Sequence, residues 1–155
     1  MIRKNKTALQ AAAGILARQD QSSKKLRQKL IAKRYNETEI DAALDKLTEK
    51  KFLNDEETCA NQFENLYEAE NLSVRQIYFK LLQRGFESDT IKNLIPGDTR
   101  EHEINAAAKA VAKKFSGVEI DAKTKTKIWQ YLSAKGFDSE IISEVANDFL
   151  RNNRN

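Results

Sequence analysis

Residues 73–91 read SVRQIYFKLLQRGFESDTI, and the same pattern of residue types occurs 51 positions earlier and 51 positions later in the chain. Five columns keep their residue type through all three copies, without an insertion. In chain order they are Leu26/Ile77/Ile128, Leu30/Leu81/Leu132, Lys33/Arg84/Lys135, Tyr35/Phe86/Phe137 and Ile40/Ile91/Ile142. A repeat of this length indicates stacked supersecondary units, each too small to bury its apolar face alone.

Each copy is predicted to fold as three helices, because one proline and five glycines in 155 residues favour helices over strands. The second helix should begin at a hydroxyl residue that accepts a hydrogen bond from the first turn. In the three copies this residue is Ser22, Ser73 and Thr124. The helix should end before Gly85 and Gly136, which readily adopt a left-handed backbone, and Arg34 takes that position in the first copy.

The spacing of the copies also predicts the domain organisation. Pro96 should stop the third helix of the second copy, expected over 88–95, and Asp98 with Glu101 can cap the next helix. We therefore predict an all-α protein of three tandem three-helix repeats that form an elongated, curved helical array. A single domain over residues 1–155 is expected, with repeats at about 5–52, 53–97 and 98–151.

The sequence lacks the patterns of catalysis, metal binding and membrane insertion. One His and one Cys cannot form a zinc site; His102 is expected on the surface or partly buried, and Cys59 in the core. A lone Cys fits a reducing compartment, and no apolar run approaches the ~18–20 residues of a membrane span. We expect a cytoplasmic protein with no enzymatic activity and no cofactor.

Positive charge is concentrated at the start of the chain. Residues 1–34 contain ten Lys and Arg and one acid, Asp20, for a net charge of +9 against +4 for the whole chain. Such a distribution suggests a polyanionic partner or an acidic protein surface, and the alternative is a solvated helix face that keeps the protein soluble.

The second helix of the first copy is the densest basic segment. Lys25, Lys29 and Lys33 recur every four residues along one edge, where their mutual repulsion would be relieved by a row of phosphates or carboxylates. No aromatic residue alternates with these charges, so backbone contacts are expected instead of base stacking. The candidate contact residues are Lys24, Lys25, Arg27, Lys29, Lys33, Arg34, Arg75, Lys80 and Arg84.

Three segments have the order and spacing of motifs that occur together in one family. Residues 23–30, SKKLRQKL, are similar to S-x-x-E-L-R-x-K-L, with Lys25 in place of the acid. Residues 47–60 are similar to L-x-x-x-G-Y-L-D-D-x-x-F-A, with Lys51 at the glycine, and residues 80–86, KLLQRGF, to an L-x-x-K-G-I/F turn. Through these segments nearly the whole chain resembles the RecX family, whose members are bacterial regulators of the RecA recombinase.

The resemblance implies a non-enzymatic regulator that binds RecA–single-stranded DNA filaments. It would inhibit RecA ATP hydrolysis, strand exchange and coprotease activity, and so modulate recombination and the SOS response. Single- or double-stranded DNA could also be bound through its backbone; a monomer without membrane contact is expected. Two alternatives stay open, a helical DNA-binding regulator and an adaptor for an acidic protein partner, and both filament-end capping and groove binding fit.

Overall fold

A computed structural model describes residues 6–154. Arg3 and Lys4, which belong to the basic N-terminal segment, lie outside this range. The described residues form helices and connecting turns and contain no strand, as predicted. The helices are α1 (Ala8–Arg18), α2 (Ser23–Ala32), α3 (Glu37–Glu49), α4 (Asp55–Glu68), α5 (Val74–Gln83), α6 (Ser88–Lys92), α7 (Arg100–Phe115), α8 (Thr124–Ala134) and α9 (Ser139–Asn152).

The chain divides into two compact units, and the second set of three helices contributes to both. The first unit comprises residues up to Gln62 together with Leu81–Ile91, and the second comprises Phe63–Lys80 with the residues from Lys92 onward. In the first unit α1 packs on α3, and in the second unit α7 packs on α9. Each unit has its own apolar cluster.

The apolar columns of the repeat form the core, as predicted. All three members of the columns that begin with Leu26, Leu30 and Ile40 are almost completely buried. In the aromatic column Phe86 and Phe137 are buried, while Tyr35 is half-buried. Since full burial of one such side chain contributes about 1.5–3 kcal/mol, these columns account for much of the stability of the helices.

The second helix ends with the same turn in each repeat. Its left-handed residue has φ of 68° at Arg34, 95° at Gly85 and 89° at Gly136. The N–H of the aromatic residue that follows donates to the carbonyl five residues earlier, from Tyr35 to Leu30 (3.3 Å), Phe86 to Leu81 (3.2 Å) and Phe137 to Leu132 (3.2 Å). These bonds satisfy carbonyls that the helix leaves unpaired, so the predicted left-handed caps are confirmed.

The predicted caps at the start of the second helix are confirmed in two repeats and wrong in the third. The hydroxyls of Ser22 and Ser73 each accept from the amide three residues onward, at 3.1 Å, and the Ser73 N–H donates to the side-chain oxygen of Gln76 at 3.0 Å. Thr124 is instead the first residue of α8, and its hydroxyl oxygen accepts from the Asp121 N–H at 2.9 Å. The Thr124 hydroxyl is therefore bound to the preceding turn and does not cap α8.

Two other helix ends differ from the predictions. The third helix of the second repeat ends at Lys92, three residues before the predicted end, because the chain already turns ahead of Pro96. Helix α7 begins at Arg100 with Thr99 in the cap position, so the predicted Asp98–Glu101 cap is wrong. The Asp98 carboxylate still accepts from the Arg100 N–H, at 3.0 Å.

His102 is buried, so its predicted position at or near the surface is wrong. Its ring stacks on Tyr67 with centroids 4.0 Å apart, and its Nε2 lies 2.9 Å from the Leu72 carbonyl oxygen. Cys59 is buried as predicted, and burial raises the pKa of its thiol to about 11. Both side chains thus pack inside the protein.

Lys51 adopts a left-handed backbone at the end of α3, with φ of 63°. The next N–H, of Phe52, donates to the Leu47 carbonyl at 2.9 Å and closes the same type of turn. Replacing Lys51 with glycine is expected to raise the free energy of unfolding by about 0.5–1 kcal/mol, because glycine adopts this conformation without a steric penalty. Urea denaturation followed by circular dichroism measures the change.

Lys50 supplies the matched control for this prediction. It is an exposed neighbour with a φ of −80°, so its replacement by glycine removes the same charge without relieving any steric penalty. Lys50→Gly should therefore leave the free energy of unfolding unchanged or lower it. Equal gains in the two variants would attribute the effect to charge and contradict the backbone explanation.

Candidate polyanion-binding site

One hydrogen bond occurs twice, each time from the start of a second helix to the end of the next second helix. The Ser22 hydroxyl donates to the Arg84 carbonyl at 2.5 Å, inside the first unit. The Ser73 hydroxyl donates to the Lys135 carbonyl at 2.5 Å, inside the second. The two donors are 51 residues apart and so are the two acceptors, so we call this contact the repeat joint.

Each repeat joint requires a glycine. A Cβ on Gly85 would lie 2.5 Å from the Ser22 hydroxyl oxygen, and a Cβ on Gly136 would lie 2.9 Å from Cδ of Arg75. Arg34, at the equivalent position of the first repeat, is exposed. The side chains that pack against these two turns, together with the left-handed backbone, therefore explain why glycine occurs at positions 85 and 136.

Carboxylates of the protein occupy the amino-terminal ends of α2 and α5. Asp55 accepts from the Ser23 N–H at 2.8 Å, and Glu103 accepts from the Val74 N–H at 2.8 Å. Burial raises the pKa of the Glu103 carboxyl, while the Val74 N–H and His102 act in the opposite direction. Because the positive ends of both helices already hold a negative group, an external anion would have to bind elsewhere.

A basic cleft lies between α1 and α2 in the first unit. It has a volume of about 470 Å³, and we call it the first cleft. Lys29 on α2 and Lys33, which directly follows α2, are exposed and one turn apart, and Arg18 ends α1. Its lining includes Ile15, Arg18, Gln21, Lys29, Ala32 and Lys33, and among the described lining residues there is no Asp or Glu. A concave surface with charges of one sign attracts polyanions.

The other candidate contacts of the first unit lie outside this cleft. The stems of Lys24 and Lys25 lie against Gly85. A Cβ added at Gly85 would lie 3.1 Å from Cβ of Lys24. Arg27 donates to the Asp41 carboxylate at 2.6 Å, and Arg84 donates to the Gln62 side-chain oxygen at 2.9 Å. The structure therefore brings only Lys29 and Lys33 of the predicted set together in a concave surface.

The remaining candidates lie on α5 in the second unit and at the end of α2. Arg75 packs on Gly136, and its guanidinium lies 5.8 Å from the centre of the Phe79 ring. Lys80 is exposed, and so is Arg34, which follows the end of α2. Arg75 thus has a structural contact in the repeat joint, whatever else it binds.

A second cleft, between α7 and α8 in the second unit, was missed by the sequence analysis. It has a volume of about 560 Å³ and is lined by residues that include Asn71, Lys109, Lys113, Lys114, Tyr131 and Lys135. Tyr131 and Lys135 lie 102 residues after Lys29 and Lys33, so the α8 side of this cleft corresponds to the α2 side of the first cleft. The one signal in the sequence was Lys135, which lies 102 residues after Lys33, because the α7 lysines match no basic residue of α1 in the 51-residue register.

Neither a three-ligand metal site nor a membrane-spanning helix occurs in the part of the chain that the structure describes. Within residues 6–154, no group of three His, Cys, Asp or Glu side chains is arranged to hold a metal ion. None of the helices described combines the length and the apolar character needed to span a bilayer.

Small three-helix units linked by a recurring joint define a helical repeat protein. Models of the first and third three-helix domains of RecX match residues 8–47 and 101–146, which together make up more than half of the chain. The chain therefore belongs to the RecX family.

Individual relatives and a solved structure agree with this assignment. The Regulatory protein RecX of Chromobacterium violaceum is 28% identical over 145 residues, which is 94% of this chain and 92% of the relative. That of Clostridioides difficile is 31% identical over 144 residues, 90% of this chain and 66% of the relative. The crystal structure of RecX from Lactobacillus salivarius has the same fold, with a TM-score of 0.74, 20% identity and coverage of 91% of this chain and 93% of that one.

Proposed function

We propose that this protein is a non-enzymatic regulator that binds RecA–single-stranded DNA filaments in the cytoplasm. It inhibits RecA ATP hydrolysis, strand exchange and coprotease activity, and thereby modulates recombination and the SOS response. The observation that carries the proposal is the first cleft, a basic concave surface on a chain of the RecX family whose relatives are named regulatory proteins.

The repeat organisation supports binding to a filament. A RecA–DNA filament presents the same protein and phosphate groups at regular intervals, and this chain carries two basic clefts at equivalent positions of its repeats. Weak contacts that are covalently linked reinforce each other, since the first raises the effective concentration of the second. Binding of lysines to phosphates releases counterions, so the affinity should fall as the salt concentration rises.

The test is RecA ATP hydrolysis on single-stranded DNA, with RecA from the same source. Substoichiometric amounts of this chain are expected to suppress hydrolysis, and the suppression should weaken with added salt because phosphate contacts are screened. Unchanged hydrolysis at equimolar chain and low salt would contradict the proposal. The two alternative functions would then remain, namely a DNA-binding regulator and an adaptor that binds an acidic protein.

A further inference from the structure

We propose that the second cleft binds single-stranded nucleic acid, with its lysines on successive phosphates and the Tyr131 ring against a base. The inference deepens the proposed function and rests on it for its biological setting, although the binding itself needs no recombinase. It assigns a role to a surface that the basic segment at the start of the chain does not include.

The lysines of the second cleft form a concentrated positive surface. Lys109 and Lys113 are four residues apart on α7, and therefore about 6 Å apart along the helix axis. Lys114 adds a third ammonium group from α7 and Lys135 a fourth from the end of α8, while the described lining residues include no carboxylate. Ammonium groups gathered in this way repel one another until an anion with several charges lies between them.

The contacts that these lysines do make are weak or partial. Lys109 donates one hydrogen bond from Nζ to the Ala69 carbonyl, at 3.1 Å. The Nζ atoms of Lys135 and Lys114 lie 4.9 Å and 5.8 Å from the centre of the Tyr131 ring. A cation near a ring at an exposed site gains only about 0.5–1 kcal/mol, so a phosphate can readily draw these groups away from the ring.

The Tyr131 ring should make the second cleft bind single strands in preference to duplexes. Its ring is half-buried and rests edge-on against Phe115, with centroids 5.9 Å apart and planes at 78°. Phe115 thus holds the ring in place within the cleft wall. Bases in a duplex are stacked on one another, so only an unpaired base can place its face on this ring.

The duplication of the cleft favours a polymer over a small anion. The first cleft has the same position between the first two helices of its repeat, with Lys29 where the second has Tyr131. A nucleotide or free polyphosphate would need only one such site, whereas a nucleic acid carries a continuing row of phosphates for sites of this kind. Lys109, Lys113 and Lys114 are also exposed, as expected for a surface that follows a backbone and does not enclose a ligand.

The test is the fluorescence anisotropy of a labelled oligothymidylate with the full chain and no RecA. Lys113→Glu/Lys114→Glu is expected to weaken binding at least tenfold. Lys125→Glu/Lys127→Glu is the matched control, because it makes the same charge change on exposed residues of α8 outside the lining of the cleft, and it should weaken binding much less. Equal losses in the two variants would overturn the site. Circular dichroism establishes that each variant is folded.

A second variant tests the ring. Tyr131→Leu keeps an apolar contact with Phe115 but removes the surface for a base, and should weaken oligothymidylate binding about fivefold or more. Its affinity for inorganic polyphosphate should not change. Unchanged oligothymidylate binding would overturn the base contact, and a polyphosphate that binds more tightly than the oligonucleotide would assign the cleft to a free anion.

The proposed function can fail or hold independently of this inference. Wild-type protein that suppresses RecA ATP hydrolysis but does not bind the oligonucleotide would overturn the second-cleft site and leave the regulator standing. Protein that binds the oligonucleotide through Lys113, Lys114 and Tyr131 but leaves RecA ATP hydrolysis unchanged would support the second-cleft site and contradict the proposed regulation of RecA.

Discussion

Replacing Gly85 with alanine is expected to lower the free energy of unfolding by about 2–4 kcal/mol. The backbone at Gly85 has a φ of 95°, which is strained for any residue with a Cβ. The added Cβ would also lie 2.5 Å from the Ser22 hydroxyl oxygen. Ser22 cannot move aside without weakening its bonds to the Arg84 carbonyl and to the Lys25 N–H. Urea denaturation measures the loss.

Gly14 supplies the control for this prediction. It lies within α1, and a Cβ there would meet no atom within 4 Å. Gly14→Ala is therefore expected to raise the free energy of unfolding, by up to about 1 kcal/mol, through the higher helix propensity of alanine. A loss at Gly85 no greater than the change at Gly14 would mean that the repeat joint tolerates a side chain.

Reversing the charges of the first cleft is expected to have the largest effect on regulation. Lys29→Glu/Lys33→Glu should raise the concentration needed to half-inhibit RecA ATP hydrolysis by about tenfold or more, which corresponds to ~1.4 kcal/mol of binding free energy. Both side chains are exposed, so the fold should be unaffected. Lys25 is left unchanged because its stem packs near Gly85.

Lys46 and Lys50 provide the matched control, because they are also exposed and four residues apart, on and just after α3. Lys46→Glu/Lys50→Glu makes the same charge change outside the lining of the first cleft. It should shift half-inhibition much less than the cleft variant does. Equal shifts would show that the overall charge matters and not the cleft, and retained inhibition in both variants at physiological salt would remove the first cleft from the contact surface.

The parts of the fold in which one residue type determines the local structure could be predicted from the sequence. Apolar side chains at helical spacing must be buried, which placed Leu26, Ile77 and Ile128 in the core correctly. Glycine beyond the last turn of a helix predicted the left-handed caps at Gly85 and Gly136 for an equally local reason. Such features depend on neighbours within a few residues, and these are visible in the sequence.

Features that depend on distant partners could not be predicted in this way. The cap predicted at Thr124 was wrong for a different, local reason, because its hydroxyl is held by Asp121 only three residues earlier. His102 is buried because Tyr67 stacks on it from another helix. The second cleft combines lysines of α7 with Tyr131 of α8, so its composition is apparent only after the two helices have been packed together.

The repeat joint also has a consequence for assembly. Two copies of the chain could form this contact head-to-tail only with a glycine at position 34 of one copy and a serine-like hydroxyl available at position 124 of the other. The chain has Arg34 at the first position, and the Thr124 hydroxyl is bound to Asp121 at the second. We therefore expect that two copies of the chain do not associate head-to-tail through this contact.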